Sequence, residues 1–250
     1  IVVGERLFVV SEPADVICIN ASDGKVIWQV SLSMSDVIGK AEAAKINESY
    51  QELTRQEKVL RKSFKQLEET DPNREKIKQQ SAAIKLKINA MKASYPIGRG
   101  SSTNACGTPL CDGERLFVTM GTGIVAALTL DGKIIWNRFV EGSRLGFGHS
   151  NSGVLADGKL IVQYKDLIAL DPATGKELWR SQSVNPRYAT PVVTEIGDQT
   201  VVVHPSGSVI RASDGTVVGN AKVNSSESTS VIDGGILFGH SKGSVRALRI

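Results

Sequence analysis

The sequence predicts an all-β propeller of four-stranded antiparallel blades, a partial set of about five, with one inserted antiparallel α-helical coiled-coil hairpin. Three observations predict it. The first is a recurring phrase: Leu167–Trp179 reads LIALDPATGKELW, Val16–Trp28 reads VICINASDGKVIW, and Ile124–Trp136 reads IVAALTLDGKIIW. The second is a companion phrase ahead of it, Gly-Glu-Arg-Leu-Phe-Val, at 4–9 and again at 113–118. The third is a change of material at 33–95, where Gly and Pro nearly vanish and Lys, Glu, Gln and Ala take over.

Each recurring phrase reads as a β-hairpin. In the copy at 167–179, Pro172 presets φ just after Asp171, and Gly175 supplies the left-handed residue that a short loop with a bulge requires. A weaker copy, Val209–Val218, carries Val where Trp stands in the others, and Ser244–Ile250 opens one more. Trp136 and Trp179 are 43 residues apart, whereas Trp28 and Trp136 are 108 apart. The same period holds throughout if about 65 residues were inserted between the first two copies. Shorter variants of the companion phrase, at 158–162, 199–203 and 234–238, and the steps Thr108-Pro109, Ser152-Gly153, Thr190-Pro191 and Thr229-Ser230 complete the unit. Four short strands in about 40 residues is the signature of a propeller blade.

Residues 1–32 supply three strands, Arg6–Val10, Val16–Asn20 and Val26–Val30, with the innermost strand missing at the front. Within 33–95, Ile46, Tyr50, Leu53, Leu60, Phe64 and Leu67 fall at heptad spacing, and Ile77, Ile84, Ile88 and Met91 form a second stripe. Asp71 and Pro72 mark the start of the second helix as N-cap and first helical residue. The expected arms are about 34 and about 20 residues, or about 50 and about 30 Å long. Blades two, three and four are expected over about 101–140, 146–182 and 188–221, with a fifth starting near 228. The division is therefore 1–32 and 96–250 for the blades and 33–95 for the hairpin. A chain opening and closing in mid-blade reads as a fragment or processed product, its remaining blades supplied by missing sequence or by another chain.

Composition bounds the function. The net charge is +4, and all of it sits on the hairpin: residues 33–95 hold 13 Lys and Arg against 9 Asp and Glu, and the rest holds 17 of each. Acids and bases are interspersed there, so nucleic-acid binding is not expected; a protein partner docking on 33–95 is. No run of 18 apolar residues exists, and no transmembrane segment is expected. Cys106 and Cys111 are five apart around Gly107; a turn there would allow a disulfide, while an extended strand would point them to opposite faces. Their spacing is not a zinc pattern, and no metal site is expected. Cys18 alternates with apolar neighbours and reads as core.

Propeller geometry places any ligand site where the chain enters each innermost strand, at one mouth of the axial channel. The candidates there are Arg99, Arg144, His149, Ser150, Arg187 and Tyr188. The three Arg would make the mouth cationic, and His149 lies in the Gly-rich stretch 146–151. His204 and His240, on strand segments, read as packing residues. Carboxylates such as Asp23, Asp131, Asp171 and Asp214 sit in hairpin turns, where they bond their own backbone. No catalytic triad order, zinc-protease or phosphate-loop motif occurs, so no catalytic residue is assigned.

The set Ala169, Asp171, Thr174, Gly175, Lys176 and Trp179, with Thr190–Val193 and Gly113–Val118, resembles the repeat of PQQ-like β-propellers. That superfamily includes quinoprotein dehydrogenases and the propeller lipoprotein of the outer-membrane assembly machinery. The resemblance covers about 1–32 and 100–250 and leaves out the hairpin. It implies that Trp28, Trp136 and Trp179 stack between blades, and that the compartment is periplasmic or secreted. In the dehydrogenases PQQ lies between a Trp and a disulfide of adjacent cysteines, beside a Ca²⁺ and an Asp base; this chain has no Cys-Cys pair and no spare Trp. The expectation is a non-catalytic binding or scaffold module with the hairpin as interaction arm, and no cofactor. The alternatives are a PQQ- and calcium-dependent quinoprotein oxidoreductase with its cofactor residues outside this fragment, and a hydrolase acting at the mouth around His149.

Overall fold

The computed structural model describes residues 1–97, 104–142, 149–185, 187–225, 227–241 and 243–250. Nineteen strands in the described residues form five antiparallel sheets, each an up-and-down meander in chain order. Sheet one holds β1 (Val2–Val3), β2 (Arg6–Ser11), β3 (Asp15–Asn20) and β4 (Val26–Ser31). Sheet two holds β5 (Leu110–Cys111), β6 (Arg115–Thr119), β7 (Ile124–Thr129) and β8 (Ile134–Phe139). Sheet three holds β9 (Val154–Ala156), β10 (Lys159–Gln163), β11 (Leu167–Leu170) and β12 (Glu177–Ser181). Sheet four holds β13 (Val192–Ile196), β14 (Gln199–Val203), β15 (Ser208–Arg211) and β16 (Val217–Asn220), and sheet five holds β17 (Val231–Asp233), β18 (Ile236–Ser241) and β19 (Ser244–Arg249). The strand expected to be missing from sheet one is present: β1, two residues long, pairs with β2.

The middle strands are apolar at nearly every position because both faces of a sheet are covered. On β6, Leu116 and Val118 face sheet one while Phe117 faces sheet three; on β10, Leu160 and Val162 face sheet two while Ile161 faces sheet four. Period-two alternation thus distributes one strand between two cores. Four such cores join consecutive sheets. The outer face of sheet five is uncovered, leaving Val231, Phe238 and Val245 exposed. His240 is exposed on β18, which corrects the expectation that it packs. His204 is fully buried, as expected.

The β11–β12 turn is built as its residues dictate. The Asp171 carboxylate accepts from the Ala173 and Thr174 N–H groups at 2.9 and 2.8 Å, and Gly175 takes φ +68° beside a register shift at Ala169/Leu170. Bonds from the Thr174 backbone, first among several, hold the Asp171 carboxyl below its ordinary pKa.

Each Trp at the end of this unit reaches the next sheet. Trp28 Nε1 donates to the Leu130 carbonyl at 3.0 Å, Trp136 Nε1 to Pro172 at 2.9 Å, and Trp179 Nε1 to Ala212 at 2.9 Å. Each ring lies on the turn glycine it meets: a Cβ on Gly132, Gly175 or Gly215 would come within 2.7, 2.6 or 2.5 Å of Trp28, Trp136 or Trp179 respectively. Those glycines are fixed twice, by φ of +85°, +68° and +76° and by the indole above them. The three Trp occupy one setting, repeated.

A polar lock also joins sheets two and three. Glu141 Oε2 accepts from the backbone N–H groups of Lys165 and Asp166 at 3.0 and 2.9 Å. Arg180 Nη1 bridges Glu141 at 3.0 Å and the buried Asp166 at 3.1 Å.

Between sheets one and two the chain forms α1 (Met34–Ile38), α2 (Lys40–Gln66) and α3 (Asn73–Ser94). The single first arm expected is instead split by Gly39, whose φ of +86° ends α1 and starts α2. The start of α3 falls one residue later than expected: Pro72, at φ −62° and ψ −18°, holds the cap position with no side-chain cap bond and Asn73 is the first helical residue, while Asp71 Oδ1 accepts from the Asn73 N–H at 2.7 Å in the turn before it. Ala43, Ile46, Tyr50, Leu53, Glu57, Leu60, Phe64 and Leu67 are buried or half-buried along α2 and its end, and so are Ile77, Ser81, Ile84, Ile88, Met91 and Tyr95 along α3. The helices run antiparallel: Lys92 lies over the Tyr50 ring, Lys85 pairs with Glu57 at 3.5 Å, and Arg74 stacks on Phe64. Val37 of α1 packs into the core between sheets one and two, and Gly142, after β8, has no room for a Cβ against the Lys92 carbonyl.

Candidate functional site

The segments that enter the first strands of sheets two to five converge, and a repeated bond sets their spacing. The Thr108 N–H donates to Ser152 Oγ at 2.8 Å, the Ser152 N–H to Thr190 Oγ1 at 3.0 Å, and the Thr190 N–H to Thr229 Oγ1 at 3.1 Å. These are the residues of the Thr-Pro-type steps, one from each of sheets two to five. Around this relay, Ser150 Oγ donates to the Tyr188 carbonyl at 3.2 Å, Asn151 Nδ2 to the Arg187 carbonyl at 2.9 Å, and Arg187 Nη2 to Asn224 Oδ1 at 3.0 Å.

A cleft of ≈ 520 Å³ opens beside it, lined by Ser150, Tyr188, Ala189, Thr190, Glu227 and Thr229. Of the residues expected at the mouth, Ser150 and Tyr188 line this cleft, while Arg187 directs its guanidinium to Asn224. Arg99 and Arg144 lie outside the described residues. His149 is only 1% exposed and stacks on Tyr164, ring centroids 4.4 Å apart at 21°. Burial pushes the His149 imidazole down to about 4; the Asn151 backbone N–H offsets part of this without meeting hydrogen-bond geometry to either ring nitrogen. The ring is therefore neutral at pH 7 and faces the interior, so it does not present a base to the cleft.

Tyr164 had no signal as a single residue. It stands where the repeat puts Met120, fills the core between sheets two and three, and donates its O–H to the Met120 carbonyl at 2.9 Å. Asn151, Gln163 and Thr119 are further buried polar residues that periodicity alone treats as strand filler. The hydroxyl relay was legible in principle, because Ser or Thr recurs at one position of four units. His204 shares Nδ1 with Ser206 at 2.7 Å, and burial pushes it down to about 4 as well.

The lining is hydroxyl-rich with one carboxylate, suited to hydrogen-bonding a polar ligand or peptide. Among the described residues the Ser150 hydroxyl is directed at the Tyr188 carbonyl and not at a base. The described residues also do not fit a quinone site of the dehydrogenase kind. All three Trp are committed to neighbouring turns, and among the described residues no disulfide joins any two of Cys18, Cys106 and Cys111. Among the described residues no group of three or more His, Cys, Asp or Glu is placed to hold a metal ion. No helix among them is long and apolar enough to cross a membrane.

A family model described as outer membrane protein assembly factor BamB matches residues 1–52 and 99–250. Among solved structures, BamB from Moraxella catarrhalis is 11% identical with a TM-score of 0.41, over 95% of this chain and 67% of that one. The computationally designed Ika8 protein is 14% identical with a TM-score of 0.42, over 58% of this chain and 46% of that one. The designed Ika4 protein is 12% identical with a TM-score of 0.41, over 62% of this chain and 98% of that one. No curated protein matches.

Proposed function

The chain belongs to the family of the outer membrane protein assembly factor BamB, and from that premise we propose that it is a non-catalytic propeller scaffold that holds protein partners outside the cytoplasm. In this reading the five sheets are blades, 1–32 and 96–250 form the propeller portion, and 33–95 is a coiled-coil interaction arm. The match to the family model over 1–52 and 99–250 carries the reading. The site is consistent with it: a shallow, hydroxyl-lined cleft offers hydrogen bonds to a peptide and no reacting pair. Ser150, Arg187 and Tyr188 are the ligand-contact candidates, with Arg99 and Arg144 as further candidates in the entry segments. No cofactor is needed for this role.

The arm is the part of the molecule that the family model leaves largely unmatched, and it is anchored at its base by Val37 and Gly142. A fixed base projects the helices at a set angle, as a docking arm requires. Affinity capture with the whole chain, and with 33–95 replaced by a short Gly-Ser loop, tests the role. Loss of the captured partner with the sheets intact supports the arm; unchanged recovery removes it. Calcium-dependent dye reduction after adding PQQ would overturn the non-catalytic reading.

A further inference from the structure

Two grooves run along the seam between α2 and α3, one on each face, and they differ in their charges. The first, ≈ 470 Å³, is lined by Arg55, Gln56, Val59, Leu60, Gln80, Ala83 and Ile84. Its floor is aliphatic, and Val59 on its rim is 56% exposed. Helical spacing puts Lys62 three residues beyond Val59, Lys76 four before Gln80 and Lys87 four beyond Ala83, all on this face. All three are exposed. None has an ion pair among the described residues, whereas Lys78 and Lys85, on the second groove, are paired with Glu75 and Glu57. Of the acids on this face of α2, Glu52 is held by Arg55 through two bonds of 2.9 Å. Overall, α3 carries six Lys and Arg against one Glu.

An aliphatic trough with three unmatched cations on its rim selects its occupant. A second copy of this chain would bring Lys62, Lys76 and Lys87 against their own counterparts. Nucleic acid would meet the rim and leave the apolar floor unused. An amphipathic helix with Leu-type side chains at i, i+3 or i+4 and i+7 fills the trough, and acidic residues flanking that stripe neutralise the rim. We infer that the groove between α2 and α3 around Val59 and Ala83 docks an acidic amphipathic helix of a protein partner, completing a three-helix bundle. This rests on the reading of 33–95 as an interaction arm, and it names the face and the chemistry of what that arm takes.

The test uses the full chain and a synthetic fluorescent peptide of three helical turns, Leu at the stripe positions and Glu elsewhere. Saturable binding is expected, falling steeply with added salt. Val59→Asp, and separately Lys62→Glu with Lys76→Glu and Lys87→Glu, should each weaken it more than tenfold with an unchanged circular dichroism spectrum. Equal binding of the peptide with Lys in place of Glu overturns the proposal, as does unchanged affinity in the Val59→Asp chain. Anionic phosphatidylglycerol vesicles that bind the chain and displace the peptide would assign the face to lipid instead. Should removal of 33–95 abolish partner capture while Val59→Asp leaves peptide affinity unaltered, the arm stands and this groove falls.

Discussion

The sheets and the helical hairpin solve the same burial problem in opposite ways. A strand such as β7 shows both faces to other sheets, and Ile124–Leu128 are all buried. A helix such as α3 shows one stripe to one partner, and none of its residues is fully buried. The sheets carry no net charge and the hairpin carries all of it. Stability in the sheets therefore resides in close contacts repeated at each joint, while in the hairpin it is spread thinly along a seam. All three Trp lie in the sheets and nearly all the helix in the hairpin, so indole fluorescence and the helical far-ultraviolet signal report the two regions separately.

The largest expected break is at a Trp joint. Trp136→Ala should cost about 3–5 kcal/mol, read as a shift in the denaturation midpoint by fluorescence of the remaining Trp. Gly175→Ala should be comparably damaging in the native background, but in the Trp136→Ala background only the left-handed backbone penalty of about 1–2 kcal/mol should remain. Additive effects would refute the indole-on-glycine account of this joint.

Acid should come next, acting through two imidazoles that both lie among the sheets, because the hairpin contains no His. His149 and His204 fall from 6.5 to about 4 on folding. Their stabilising contribution is whole above pH 6.5 and is lost as pH falls toward 4, because the unfolded chain takes up protons that the folded chain refuses. Each imidazole should account for about 3 kcal/mol across that window. Denaturation followed by fluorescence between pH 7 and pH 4 checks this, and His149→Phe should flatten the dependence.

In the hairpin the effects shrink. Phe64→Ala removes a half-exposed ring and should lower the helical signal's midpoint by about 1–2 kcal/mol with the fluorescence transition unmoved. The smallest is Glu57→Gln, which breaks the seam pair with Lys85 for about 0–1 kcal/mol, since the Lys is mostly solvated.

The sequence made the repeated parts legible and left the singular ones obscure. Trp28, Trp136 and Trp179 are found in one setting because the same phrase, recurring, imposes the same turn and the same exit. The heptad stripes of α2 and α3 were readable for a similar reason, since spacing alone decides which side chains meet. Gly39 was not read as a break, because a lone Gly in a helical pattern has no marker until its φ is known. β1 escaped notice because two residues carry no period. His149 looked like a loop residue in a Gly-rich stretch; its burial depends on Tyr164, fifteen positions on, and no local pattern joins them. Ser150 and Tyr188 were found by aligning units, whereas Thr190 and Thr229 were read as strand markers and their hydroxyls overlooked.

The indole bond to the following turn runs one way only. Every unit from one to three offers a donor forward and every unit from two to four offers a carbonyl and a bare Cα backward, so the row has a direction, like links of a chain with a hook at one end and an eye at the other. Copying a link in tandem would reproduce the same coupling without inventing a new one. Link four has Val218 in place of the hook, so link five is held by aliphatic packing, the Thr190–Thr229 bond and the Asn224 N–H to His240 carbonyl bond with no indole among them, and this is where the row should first come undone under load.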